Sequence, residues 1–139
     1  MGDVFLDAGY ETGLFGKWHL GDNYSFLPEQ RGFKETFYHK GGGVGQTPDY
    51  WNNDYQDDIY FRNGEPEESK GYCTDVFFEE AISFINKNKE NPFLCFLSLN
   101  APHSPFNVPK EYYELYENES DLLESQKRFY GMITNIDDN

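Results

Sequence analysis

The chain has 139 residues, with 25 Asp or Glu against 11 Lys or Arg, so its formal net charge is −14 with histidine neutral. That balance excludes general nucleic-acid binding, which needs a basic footprint, and requires any anion site to be a locally positive pocket inside an acidic shell. No apolar run reaches the roughly 18 residues that predict a membrane span, and Met1–Phe5 has neither the basic nor the apolar region of a signal peptide.

Taken in order, residues 2–8 are predicted as the last turns of a helix, with Val4, Phe5 and Ala8 apolar and Gly9 as its stop. A chain that opens at the tail of a helix is expected to continue something upstream. Residues 11–17 read as a buried strand. From Gly21 to about Tyr72 there is no steady period of 2 or 3.6, and the segment is expected to be a long irregular insertion on the substrate side. Within it, Asp49, Tyr50 and Trp51 suit stacking on a sugar ring and bonding its hydroxyls, although a packed surface loop has the same composition.

Asp75 to Lys89 is predicted as an amphipathic helix, with Phe77, Ala81, Phe84 and Ile85 on one face, acids early and lysines late. Phe93–Leu99 is a near-continuous apolar run, expected of a strand covered on both faces. Helix followed by buried strand predicts an α/β fold. A short helix is expected from Pro109 through Tyr116. The last helix is expected from Ser120 or Asp121, with Phe129, Met132, Ile133 and Ile136 as its stripe. Cys73 and Cys95 have no metal-binding spacing, and a disulfide and two free thiols both remain open.

The chemistry concentrates in two places. Lys17 and His19 stand at i and i+2, which on a strand places both on one face, with Trp18 turned away to pack. His103 follows the end of the Phe93–Leu99 strand, where open α/β sheets carry ligand sites. An ammonium and two imidazoles converging on one pocket suit an anionic oxyester. The lysine neutralises charge on the transferring group, and a histidine protonates the leaving oxygen.

Ala8-Gly9-Tyr10-Glu11-Thr12-Gly13 followed by Gly16-Lys17-Trp18-His19-Leu20-Gly21 resembles the sulfatase-family signature A-G-Y-x-T-G-x-x-G-K-W-H-L-G at every fixed position. Ala101-Pro102-His103-Ser104-Pro105-Phe106 is similar to the family segment bearing an active-site histidine. Phe129–Asp137 resembles the helix that follows it, and Gly43–Trp51 resembles a polysaccharide-sulfatase subgroup. The resemblance covers nearly the whole chain. It implies an alkaline phosphatase-like α/β fold, a mixed sheet flanked by helices, incomplete here, with residues 1–139 forming the central part of a catalytic domain. It further implies hydrolysis of sulfate esters on a sulfated small molecule or polysaccharide, and a periplasmic or secreted location. In the roles it implies, Lys17 binds the sulfate group, His19 supports the nucleophile, and His103 contacts sulfate and acts as leaving-group acid.

The departures from the family pattern are equally specific. No C/S-x-P/A-x-R motif for the formylglycine nucleophile is present, and the calcium ligands that the resemblance implies fall outside residues 1–139. Asp137 reads as a residue of the last helix, so no metal ligand is assigned. The 139 residues by themselves are therefore expected not to turn over. Two other readings stay open at this stage: a non-catalytic module binding sulfated glycans, and a phosphate or phosphonate monoester hydrolase of the same superfamily.

Overall fold

A computed structural model describes all 139 residues. In chain order the elements are α1 (Gly2–Asp7), β1 (Glu11–Lys17), β2 (Glu35–His39), β3 (Ile59–Arg62), β4 (Glu65–Glu68), α2 (Cys73–Asn88), β5 (Phe93–Ser98), α3 (Lys110–Glu114) and α4 (Glu124–Asp138). The strands form a single sheet in the order β4-β3-β2-β1-β5. β1 runs parallel to both β2 and β5, whereas β3 and β4 add as an antiparallel extension beyond β2. The expected α/β fold with a mixed sheet and flanking helices is the fold observed.

Alternation along the strands builds two separate cores. Phe15 of β1 and Phe37 of β2 are register partners, and both face α2. There they meet Phe77, Ala81 and Phe84, none of which is more than 3% exposed. Leu14, Tyr38, Trp18 and Phe33 form the smaller core on the opposite face. Fully burying each phenylalanine is worth about 1.5–3 kcal/mol relative to leaving it exposed, so the α2 face contributes most to the stability of the sheet. Two ion pairs hold the rim of α2: Glu80 takes the Arg62 guanidinium through two bonds, and Lys87 reaches Glu35 on β2 at 2.7 Å.

Several expectations are corrected. The stretch from Gly21 to Tyr72 is not irregular throughout, because it contains β2, β3 and β4. Four-to-five-residue strands are too short to establish a period between Gly- and Asx-rich turns. β5 packs on both faces as expected, Phe93, Cys95 and Leu97 against the α2 core and Leu94 and Phe96 against the smaller one, but it is only half-buried at every residue, because it stands at an edge of the sheet. Ile85 and Ile133 are 37% and 41% exposed, each at the margin of its helix stripe. α4 starts at Glu124 because the Gln126 side chain accepts the Leu123 backbone N–H at 2.8 Å and so closes the first turn there. Asp137 lies in this helix, as read. Cys73 and Cys95 are both free thiols.

Candidate active site

The parallel strands β2, β1 and β5 all point their C-terminal ends to one side of the molecule. The loops leaving them there converge, as expected for a ligand site in an open α/β sheet. β1 stops at Lys17 for a local reason. Gly16 has φ +106°, and a Cβ at this position would run into the carbonyl oxygen of Ser98 on β5. Only glycine combines that backbone angle with that approach. Beside it, the Ser98 hydroxyl donates to the Lys17 carbonyl at 2.6 Å and pins the end of the strand.

Lys17 projects on the α2 face, register-paired with His39 of β2, and forms no ion pair. In a chain of net charge −14, an ammonium at a sheet end without a carboxylate partner is available to an external anion. His19 reaches the same region by a different route from the predicted strand alternation. Its φ of +48° is left-handed, so the chain turns out of the strand and lays the imidazole beside Gly42. Trp18 is buried as expected, its indole N–H donating to the Phe26 carbonyl at 2.8 Å.

His103 comes from the loop after β5. Its Nδ1 lies 2.6 Å from the Ser104 carbonyl, so Nδ1 carries the proton and Nε2 is the nitrogen left for exchange. The buried Tyr55 holds this loop from below, its hydroxyl shared between the carbonyls of His103 and Ser104 at 3.0 and 3.1 Å. The backbone N–H of His103 donates to the Asn100 carbonyl at 3.0 Å.

Two adjacent glycines after β2 fit between the imidazoles. A Cβ on Gly42 would stand 3.1 Å from Cε1 of His19, and one on Gly43 would stand 3.1 Å from Nδ1 of His103. Their turn is tied to both neighbouring loops, since Gly41 N–H donates to Asp22 Oδ1 at 3.1 Å and Val44 N–H to Asn100 Oδ1 at 3.3 Å. His19 and His103 are thus brought to adjacent glycines by the loops after β1 and β5, and Lys17 joins them around His39 of β2, its register partner, on which all three act electrostatically. Asp49 lies in the same turn, but its carboxylate faces inward, accepting from Gly45 N–H at 2.8 Å and from the Asn53 amide at 3.1 Å. Tyr50 packs toward Phe61, and Trp51 is 90% exposed beside a groove of about 200 Å³ lined mainly by Asn and Asp.

A third imidazole, missed in the sequence, forms the floor of this region. His39 is fully buried at the end of β2, its Nδ1 bonded to the Lys40 carbonyl at 3.0 Å and its Nε2 without a partner. Burial lowers its pKa from 6.5 to about 4, with Lys17, His103 and His19 adding positive charge that pushes the same way against the Lys40 carbonyl. The unfolded chain would take up this proton near pH 6.5 and the folded chain only near 4. This group's contribution to stability is therefore complete above 6.5 and is lost as pH falls toward 4. NMR titration of the ¹⁵N-histidine-labelled full-length gene product should give a His39 midpoint near 4, and a midpoint near 6.5 would contradict the neutral buried imidazole. The signal for His39 was the β-rich run Thr36-Phe37-Tyr38-His39, masked by the glycines and acids around it.

The Sulfatase family model matches residues 1–139. The chain belongs to the sulfatase family. This sulfatase chain is 34% identical over 125 residues to an uncharacterised sulfatase of Schizosaccharomyces pombe, covering 82% of this chain and 23% of that protein. It is 32% identical over 127 residues to the arylsulfatase of Klebsiella aerogenes, covering 86% of this chain and 27% of that one. Its fold matches the crystal structure of Ps i-CgsB in complex with k-i-k-neocarrahexaose, with a TM-score of 0.82 and 29% identity, over 99% of this chain and 34% of that one. The sulfatase chain therefore spans about a quarter of the curated relatives it matches and a third of that structure.

The residues present do not fit the calcium of the family resemblance. No three His, Cys, Asp or Glu side chains cluster to hold a metal. Asp22 and Asp49, the carboxylates of the site loops, each give one oxygen to backbone or amide N–H groups, and the single buried oxygen they leave without a partner, Asp49 Oδ1, falls far short of the six or more oxygens that calcium requires. No helix is long and apolar enough to cross a membrane.

Proposed function

We propose that the full-length gene product hydrolyses sulfate esters carried on carbohydrates, and that Lys17, His19 and His103 are residues of its active site. The observation supporting this reading most directly is the convergence of an unpaired ammonium and two imidazoles at the C-terminal ends of β1, β2 and β5, in a chain matched throughout by the sulfatase family. In this reading Lys17 binds the non-bridging oxygens of the sulfate and offsets the charge that develops as the S–O bond breaks. His103, protonated at Nε2, donates to the leaving sugar oxygen, and the Ser104 carbonyl keeps Nδ1–H oriented throughout. His19 orients the nucleophile from beside Gly42.

Formylglycine and calcium, which supply the nucleophile and polarise the sulfate in this reading, belong to residues outside 1–139, and the 139-residue chain alone is inactive. Tyr50 and Trp51 face the sugar, with Asp49 acting from beneath by holding Gly45 and Asn53. A carbohydrate substrate is supported by these exposed aromatics and by the neocarrahexaose in the similar crystal structure. The reading carries with it a periplasmic or secreted location, which cell fractionation tests.

The deciding experiment measures sulfate released by the full-length gene product from 4-methylumbelliferyl sulfate, galactose 4-sulfate, N-acetylglucosamine 6-sulfate and a sulfated neocarrahexaose, beside 4-methylumbelliferyl phosphate. The expected result is turnover of at least one sugar sulfate, exceeding that of the phosphate. Preferential phosphate release would make the protein a phosphate monoester hydrolase, and glycan binding without release would make it a binding module.

A further inference from the structure

One side chain between the two exposed-loop imidazoles has no role in the chemistry above. Gln46 stands in the turn after β2, and that turn is held firmly. Gln46 N–H donates to the Gly43 carbonyl at 3.1 Å, Asp49 N–H donates to the Gln46 carbonyl at 2.6 Å, and the buried Val44 anchors the base. An exposed glutamine on a surface turn would normally extend into water. This one folds back over the glycines instead. Its Oε1 lies 3.4 Å from the Cβ position of Gly42, the same position that His19 approaches to 3.1 Å. Its Nε2 lies 3.1 Å from the Cβ position of Gly43, the same distance as Nδ1 of His103. The carboxamide therefore borders, over Gly42 and Gly43, the same two spaces that the imidazoles of His19 and His103 border, while making no hydrogen bond of its own within the chain.

The chemistry of the group narrows its use. A carboxamide is neutral, so it adds nothing to the attraction of a sulfate that Lys17 already supplies. It offers one acceptor oxygen and two N–H donors from a single rigid plane. Sugar hydroxyls are both donors and acceptors, and those adjacent to the sulfated carbon lie within a few ångströms of the leaving oxygen that His103 is read to protonate. An aryl leaving group has nothing comparable to offer.

We propose that Gln46 is a specificity-determining residue that hydrogen-bonds a hydroxyl of the sugar bearing the sulfate, and so discriminates carbohydrate from aryl sulfates. The proposal rests on the reading of Lys17, His19 and His103 as a sulfate-ester site. Its backbone anchors are independent of its side chain, so replacing the side chain leaves the turn closed.

The test compares wild type with Gln46→Ala in the full-length gene product. It uses the fastest sugar sulfate of the panel above and 4-methylumbelliferyl sulfate, with thermal melting as the control for folding. The ratio of kcat/KM for the sugar sulfate to that for the aryl sulfate should fall about tenfold, the effect of losing one hydrogen bond to substrate. Gln46→Asn, which keeps the amide but shortens the arm, should fall between the two. An unchanged ratio overturns the proposal while leaving the sulfatase reading intact, including the case where both rates fall together because the turn has moved. Wild-type protein that releases no sulfate from any substrate overturns the reading and this inference with it.

Discussion

Replacing Lys17 by alanine in the full-length gene product should lower kcat/KM for sulfate-ester hydrolysis by about 10²–10³-fold, or roughly 3 kcal/mol of transition-state stabilisation. Lys17 forms no ion pair, whereas Lys34, Arg62, Lys87, Lys110 and Arg128 are each held by a carboxylate. Its removal therefore breaks no structural contact of that kind. The strand end that carries it is held by backbone, through Ser98 and the register with His39, so the fold should be indifferent to the substitution. Rates within threefold of wild type would remove Lys17 from the mechanism. Lys17→Arg keeps the charge but spreads it over a larger planar group, so a partial recovery would show that position as well as charge matters.

Phe77→Ala should be the most destabilising single change in the α2 core, at about 3–5 kcal/mol for a fully buried phenylalanine. The ring has no exposed surface. It packs at 4.8 Å from Tyr60, 6.3 Å from Phe37 and 6.1 Å from the His39 imidazole. Truncation opens a void beneath two strands together, and none of these neighbours can collapse into it without leaving the sheet. Urea denaturation of the full-length gene product measures the loss, and a value below about 1 kcal/mol would show that the core relaxes freely. Because Phe77 also covers His39, admitting water there should raise the His39 midpoint from about 4 toward 6.5. The two readouts together separate a core that collapses from one that floods.

Much of this was legible in residue order. The helix over residues 73–88 is written in the spacing of Phe77, Ala81 and Phe84. The strand at 93–98 is written in a near-continuous apolar run after Pro92, and the strand at 11–17 in Leu14-Phe15 set between Gly13 and Gly16. The family signature around Lys17 and His19 and the His103 loop were also visible, since both are contiguous and chemically unusual. The strands between residues 21 and 72 were not, because β2 is held by β1 and so by residues some twenty positions away, and β3 and β4 are four-residue arms of one hairpin across Asn63-Gly64, too short to show a period. β4 reads Glu-Pro-Glu-Glu and is exposed throughout; it is a strand only because β3 folds back against it.

Sequence alone thus determined the α/β class, the α2 face that covers the sheet, and the family motifs that carry Lys17, His19 and His103. These depend on local periodicity and on side-chain chemistry, both carried by the order of residues. Only tertiary structure decided that His39 is buried and neutral, that Gln46 lies across Gly42 and Gly43, and that His19 arrives through a left-handed turn rather than along the strand. The burial of His39 depends on Phe77, far along the chain, whereas the placing of Gln46 and of His19 depends on the backbone angles of single turns, φ +73° at Gly45 and +48° at His19. Hydrophobic spacing encodes neither, because it records which face of an element is buried and not what that face meets.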